Sequence, residues 1–211
     1  MWKHKFSFRA QRGQPKRLEL NWSAPHLIVI NISAAKYLHM DKPNYNRLDN
    51  LIALPYSDKV QWVAVGHTHM HTYNKTEAQI QGMLEGTKNT GRFFTRKLVQ
   101  FFNGRKGLSN SSHPNNPLII SHLHTGKLNN TGSTIHYHFA FGNIPTGITQ
   151  QEMMTVFEEL WVHKAKQSPK SIWLQQASNE NKGWITYGHR ENRLGAQLGL
   201  DIHSTYIPIQ A

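Results

Sequence analysis

Apolar residues fall into two kinds of pattern along this chain. "HLIVINIS" (26–33) is β-branched and almost wholly apolar, which predicts a buried strand. "VQWVAVGHTHMH" (60–71) predicts a second strand, apolar at its start and histidine-rich at its end. "LIISHLH" (118–124) and "STIHYHFAFG" (133–142) predict two more, joined as a hairpin by the turn residues of "TGKLNNTG", and "SIWLQQA" (171–177) a fifth. Helical spacing governs 75–104. In its "GRFFTRKLVQFF", Phe94, Leu98, Phe101 and Phe102 fall on one face and leave Arg92, Arg96 and Lys97 for solvent. A second helix begins at Thr149 with a capping-box signature, because Glu152 lies three residues on; its apolar stripe is Met153, Phe157, Leu160 and Trp161. After the turn "NENKG", "WITYGHREN" (184–192) reads as a short polar helix, anchored to the sheet by Trp184 and Ile185. Residues 34–60 read as an irregular excursion with a short helix, and "GRKGLSNSSHPNNP" (104–117) as a polar loop.

The order strand–strand–helix–hairpin–helix–strand–helix predicts an α+β fold with a central antiparallel sheet and helices packed mainly on one face. At 211 residues, one domain with a real core is expected. Residues 1–24, basic and polar, read as an N-terminal arm, and 25–211 as the single domain.

Charge changes the picture more than size does. Lys and Arg number 24 against 12 Asp and Glu, a surplus that points to a polyanion, nucleic acid being the commonest. The plainer alternative is a basic, solubilising surface. Cysteine is absent, which excludes disulfides, thiolate metal sites and a thiol nucleophile. No apolar run approaches the roughly 18 residues of a membrane span, and the N-terminus lacks an apolar signal core. A cytoplasmic protein without a membrane partner is the expectation.

Histidine is abundant, with 14 in the chain. Residues two apart on a strand share a face, so His136 and His138 lie side by side, as do His122 and His124 on the preceding strand. If the hairpin pairs residue i with 258−i, His122 faces His136 and His124 faces Thr134. Any register that pairs even positions with even gathers all four imidazoles on one face, as a metal site or as a region of repulsion at low pH. Imidazole favours manganese, zinc or similar ions, and phosphate oxygens and water in the same shell widen the choice to magnesium. A second cluster, His67, His69 and His71 in "GHTHMH", reads as a partly exposed edge strand with at most a lesser role in substrate contact.

Histidine–hydrophobic–histidine on a strand, in "TIHYHFAFGNIP", is followed about fifty residues later by a tyrosine in "KGWITYGHRE". With the intervening "EELWVHK" helix and "SIWLQQA" strand, this resembles the HUH endonucleases, and within them the replication-initiator (Rep) type of rolling-circle elements. The likeness covers roughly 93–192 plus the strand at 26–33. It implies a Rep-nuclease-like sheet related to the RRM and ferredoxin-like folds. His136 and His138 match the family's metal-binding histidines and Tyr187 its nucleophile. The third ligand, often acidic in such proteins, usually comes from the preceding strand; no carboxylate stands there, so His124 or His122 takes its place, with His124, beside the turn, favoured. Arg190 stands where the family has a lysine, keeping the cation but not a lysine's ability to release its proton.

The resemblance implies a nickase and strand transferase for single-stranded DNA or an origin hairpin, dependent on Mn2+ or Mg2+ and working through a 5′-phosphotyrosine intermediate. No Gly-x-x-x-x-Gly-Lys loop occurs in these residues, so a host helicase and polymerase are the expected partners. Arg92, Arg96, Lys97, Arg105 and Lys106 form a basic band suited to the DNA backbone, or simply a solvated face. Trp62, Tyr73 and Trp173 are candidates for base stacking or for the core, and Tyr206 is a second tyrosine on an extended tail. Three alternatives stay open: a non-catalytic basic nucleic-acid-binding protein, a single-tyrosine transposase with the same chemistry, and a small hydrolase that acts through metal-bound water.

Overall fold

The computed structural model describes residues 53–109, 113, 115–125, 134–170, 172–178, 183–188 and 199–208, all within the unit Tyr45–Ala211. The expected basic arm, the strand at 26–33 and most of the hairpin turn lie outside the described residues. A 3-10 turn, Leu54–Lys59, leads into β1 (Val60–His71). There follow α1 (Glu77–Ser109), β2 (Leu118–His124), β3 (Thr134–Gly142), α2 (Gln150–Glu158), β4 (Trp173–Gln176), α3 (Trp184–Gly188) and the two-residue β5 (Gly199–Leu200). The strands form one open sheet in the order β4-β1-β3-β2-β5, with every pairing antiparallel. This is the expected α+β architecture.

Strand parity builds the core. On β3 the odd residues Ile135, Tyr137, Phe139 and Phe141 are fully buried. They pack with Phe94 and Leu98 of α1 and with Met153, Phe157, Leu160 and Trp161 on and just beyond α2. Phe94 lies 4.8 Å from Phe139 and 5.4 Å from Trp161, in tilted and edge-on contacts that aromatic quadrupoles prefer. The capping box at Thr149 forms as expected, with Glu152 N donating to Thr149 Oγ1 and Thr149 N to Glu152 Oε2. Beyond α2 the helix widens into a π-helical turn, Glu159–Lys164, closed by Ala165 N to Leu160 O at 2.9 Å. There the Trp161 indole donates to the His67 carbonyl at 3.0 Å, which ties the helical layer to β1.

The opposite face carries a smaller apolar cluster of Ala53, Leu118, Ile120, Ala140 and Ile185, with Trp184, Leu200 and Ile207 packed on it. Thus α1 and α2 cover one face, whereas α3 and the 3-10 turn rest on the other. β2 is consequently buried at all seven positions.

Three expectations need correction. The hairpin register is two residues from the assumed one: Leu118 pairs with Gly142, Ile120 with Ala140, His122 with His138 and His124 with His136. This register sets the bulkiest β2 residues against the smallest of β3, whereas the assumed one would oppose Leu118 to Ala140 and Ile120 to His138. Parity, and with it the shared histidine face, is preserved. The partly exposed edge expected at "GHTHMH" is present, since this end of β1 extends past β4 and leaves His69 and His71 exposed, while the rest of β1 is flanked by β4 and β3. α1 continues through part of the expected loop to Ser109, broken at Gly104, whose φ of 60° is left-handed. Its buried stripe is Leu84, Thr87, Gly91, Phe94, Leu98 and Val99, while Phe101 is exposed against Phe102. Finally, Tyr206 is buried: its backbone bridges Ile119 and its hydroxyl accepts from Asn116 Nδ2 at 2.6 Å.

Candidate metal centre and tyrosine

Below the apolar cluster on the α3 face, the same strands change from aliphatic residues to histidines. One cross-strand row runs Trp173, Val65, His138, His122, Leu200, and the next runs His67, His136, His124. Register alone therefore brings histidines of three strands, β1, β3 and β2, together. His124, His136 and His138 offer ring nitrogens that all lie within 4.8 Å of one another, and these three can hold a metal ion. His122 is also buried, directly across from His138, but belongs beneath α3 rather than to this triad. Of the two candidates for the third position, the geometry brings in His124.

The hydrogen bonds around the triad assign its tautomers. His136 Nδ1 lies 2.8 Å from the Thr134 carbonyl, an acceptor, so Nδ1 carries the hydrogen and Nε2 is the lone-pair nitrogen. His124 Nε2 lies 2.9 Å from the Gly188 carbonyl, so here Nε2 carries the hydrogen and Nδ1 the lone pair. Such backbone acceptors on the distal nitrogen orient ligating histidines in metal proteins. His138 lacks this support, since its Nδ1 is buried with no hydrogen-bond partner among the described residues. Its Nε2 stands 3.1 Å from that of His136. Two nitrogens bound to one ion at about 2.0–2.1 Å in tetrahedral or octahedral geometry stand about 2.9–3.4 Å apart, so the pair has a chelating spacing.

Electrostatics point the same way. Burial, reinforced by the neighbouring histidines His124, His136 and His122, pushes the His138 pKa down to about 2. Burial also lowers those of His136 and His67. His138, His136 and His67 are therefore biased to the neutral form that binds metals, and among the described residues no carboxylate belongs to the cluster. The donor set fits a divalent ion that prefers nitrogen ligands.

Tyr187 stands beside this cluster on α3. Its ring, 44% exposed, has its centroid 5.3 Å from that of His138 and 6.4 Å from that of His124. α3 is a single turn and cannot hold itself together by helix formation alone. It is fixed by buried Ile185, by the Trp184 indole donating to the Phe139 carbonyl at 3.1 Å, and by the His124–Gly188 bond. The anchoring expected of Trp184 and Ile185 is thus observed. Gly188 also lies against the His122 ring, and a Cβ there would come within 2.5 Å of Cγ.

The remaining candidates separate. Arg190 lies outside the described residues. Arg92, Arg96, Lys97, Arg105 and Lys106 sit on α1, which packs against the sheet face opposite the histidines, so the fold does not bring this band to the triad. Arg96, Arg105 and Lys106 are exposed, Arg92 is half-buried, and Lys97 lies over the Phe93 ring at 5.5 Å. Trp62 is core and Tyr73 is exposed beyond β1. Tyr206 packs in the core on the α1 face, away from the histidines, where burial, opposed by the Asn116 hydrogen bond, raises its phenol pKa to about 12.

Two features were not read from the sequence as parts of the site. His67 stacks on His136, centroids 4.9 Å apart at 16°, beside the triad rather than on an isolated edge. Its parity on β1 carried that signal once β1 is paired with β3. Gly188 is the other, and the residue directly after a candidate nucleophile was its only trace. Among the described residues, no helix is long and apolar enough to cross a membrane. No family model, no curated protein and no solved structure matches this chain.

Proposed function

We propose that this protein is a metal-assisted endonuclease and strand transferase for single-stranded DNA, of the replication-initiator type, with Tyr187 as its nucleophile. The observation that carries the reading is an exposed tyrosine held 5.3 Å, ring to ring, from His138 in a three-histidine cluster. A tyrosine merely packed on the surface needs no such neighbour. The surplus of basic residues supports a polyanionic substrate.

In this reading His124, His136 and His138 hold a divalent ion, Mn2+ or Mg2+, which when bound supplies Lewis-acid stabilisation of charge on a phosphate oxygen. The chain's own contribution is positional. α3 presents the Tyr187 oxygen, and the His124–Gly188 bond couples the nucleophile's helix to the histidine cluster. The phenol oxygen forms a bond to phosphorus as the bond from phosphorus to the 3′ oxygen breaks. The phenol gives up its proton and the departing 3′ oxygen gains one, leaving a 5′-phosphotyrosine and a free 3′-hydroxyl. No oxidant or nucleotide is consumed, and attack by a 3′-hydroxyl on the phosphotyrosine reverses the step.

The test uses the full chain with a labelled pool of randomised single strands and Mn2+, read on a denaturing gel. A covalent protein–DNA adduct is expected, lost in Tyr187→Phe and in His136→Ala. Cleavage that persists in Tyr187→Phe but stops in His136→Ala would instead identify a hydrolase acting through water. Binding with no cleavage under any condition would leave a non-catalytic nucleic-acid-binding protein.

A further inference from the structure

Among the described residues, five large hydrophobic side chains are notably exposed: Tyr73, Phe93, Phe101, Trp173 and Tyr187. Two of them belong to one stack. Trp173 lies on Trp184 with centroids 5.2 Å apart at 30°, and Trp184 lies on Tyr187 at 6.0 Å and 26°. At its inner end the stack meets His124, tilted only 24° from Tyr187. Its middle ring is fixed to the sheet through the Trp184–Phe139 hydrogen bond. Its outer ring stands on the edge strand β4 in the same cross-strand row as His138.

We propose that this stack is the binding track for unpaired nucleobases of the strand entering the site, with Trp173 as its outermost stacking surface. The inference rests on the nuclease reading above and specifies how its substrate is held. Leaving a tryptophan 38% exposed forfeits hydrophobic burial, and a partly open indole at the outer end of a ring stack that reaches Tyr187 suits a planar ligand. The sequence leading into Trp173 carries cations and no acid. From residue 160 to 176 the chain holds Lys164, Lys166 and Lys170 with no acid after Glu159, and Lys166 and Lys170 are exposed. Stacking on aromatic rings is tolerant of sequence because every base has a π-face, so this track supplies grip without identity.

The track explains a separation that the fold otherwise leaves unaccounted for. The basic band of α1 lies on the opposite face, so among the described residues the groups placed beside Tyr187 are rings rather than arginines. It follows that binding there depends on bases, with a weak response to salt, whereas phosphate contacts respond strongly.

The experiment compares a short fluorescein-labelled thymidylate strand with an abasic phosphodiester of equal length, by anisotropy, in chelator and at fixed salt. The wild-type chain is expected to bind the base-bearing strand about fivefold to about 100-fold more tightly. Trp173→Leu removes most of that margin and leaves abasic binding unchanged, while Trp173→Phe, which keeps an aromatic face, retains much of it. Equal binding of both strands by the wild type overturns the proposal, as does a full margin in Trp173→Leu. Equal weakening toward both strands in Trp173→Leu overturns it too, since the indole then acts only by supporting α3. The covalent-adduct assay separates the two levels: a base-dependent margin without any adduct removes the nuclease reading and leaves the track, and an adduct without the margin does the reverse.

Discussion

Gly188→Ala is the sharpest perturbation the site offers, because it adds one methyl group at a place with no room. The new Cβ would lie 2.5 Å from Cγ, 2.6 Å from Nδ1 and 2.9 Å from Cδ2 of His122. Carbon contacts settle near 3.5–4.0 Å, so the gap is short by about 1 Å. His122 cannot yield, being buried at 1% exposure within β2 and flanked across the sheet by His138 and Leu200. α3 must therefore lift. A lift of about 1 Å stretches the 2.9 Å His124–Gly188 bond beyond hydrogen-bonding range. Overpacking of this kind costs about 1–3 kcal/mol, here in the docking of α3. Two readouts follow. Displacing the nucleophile by about 1 Å is expected to slow adduct formation about 100-fold in single-turnover kinetics. Loss of the distal hydrogen bond on His124 is expected to weaken Mn2+ binding about 10- to 100-fold by titration calorimetry. A variant with wild-type rate and wild-type metal affinity would refute the coupling between α3 and the triad.

Other predictions follow from the same geometry. His124→Gln should abolish stoichiometric Mn2+ binding, whereas His122→Gln should keep a measurable site; equal loss in both would make His122 a ligand. For the metal-free protein, the lowered His138 pKa sets the sign of a pH effect. Between 6.5 and about 2 the unfolded state binds a proton that the folded state refuses, so stability falls as pH drops below 6.5. At pH 5 this one residue costs about 2 kcal/mol relative to pH 7, with His136 and His67 acting in the same direction, and urea unfolding in chelator should show it. A midpoint unchanged between pH 7 and pH 5 would contradict the buried-neutral assignment. Tyr137→Phe should cost about 1–3 kcal/mol, because the phenol donates to Asp201 Oδ2 at 2.6 Å within a buried network that includes Ser204. Chemical denaturation measures this directly.

What the sequence revealed, and what it withheld, follows the physics of each signal. The shared histidine face was legible because alternation on a strand is geometric and survives a register error of two, which left His124 and His122 on the same side as His136 and His138. The register itself was not legible, since it depends on Gly142 and Ala140 receiving Leu118 and Ile120, a cross-strand match that no single strand displays. Phe101 looked apolar enough for the core, yet the stripe set by Leu84, Gly91, Phe94 and Leu98 has rotated away from it by the end of α1. Which face α1 would cover was hidden for a related reason: β2 is buried on both sides and so carries no amphipathic pattern. The basic band followed α1 to the face away from the triad. Thr149, Trp184 and Ile185 were read correctly because capping and anchoring are local.

Tyr137 sits between the two histidines of β3, and its side chain points the other way. Burial, followed by the Asp201 carboxylate, holds its phenol well above the ordinary tyrosine pKa, so it stays protonated and keeps donating. The strand is thereby fastened from behind, in a core that owes nothing to the ligand side. The spacing of His136 and His138 is an inherited dimension of that core, as the pitch of a screw is cut before the nut arrives. On the proposed reading, an ion would meet the His136–His138 pair already at its spacing and would not be needed to build the core, unlike the structural metals whose domains collapse on chelation. Selection between ions would then fall to coordination preference, and the protein would lose and regain a metal without losing its shape.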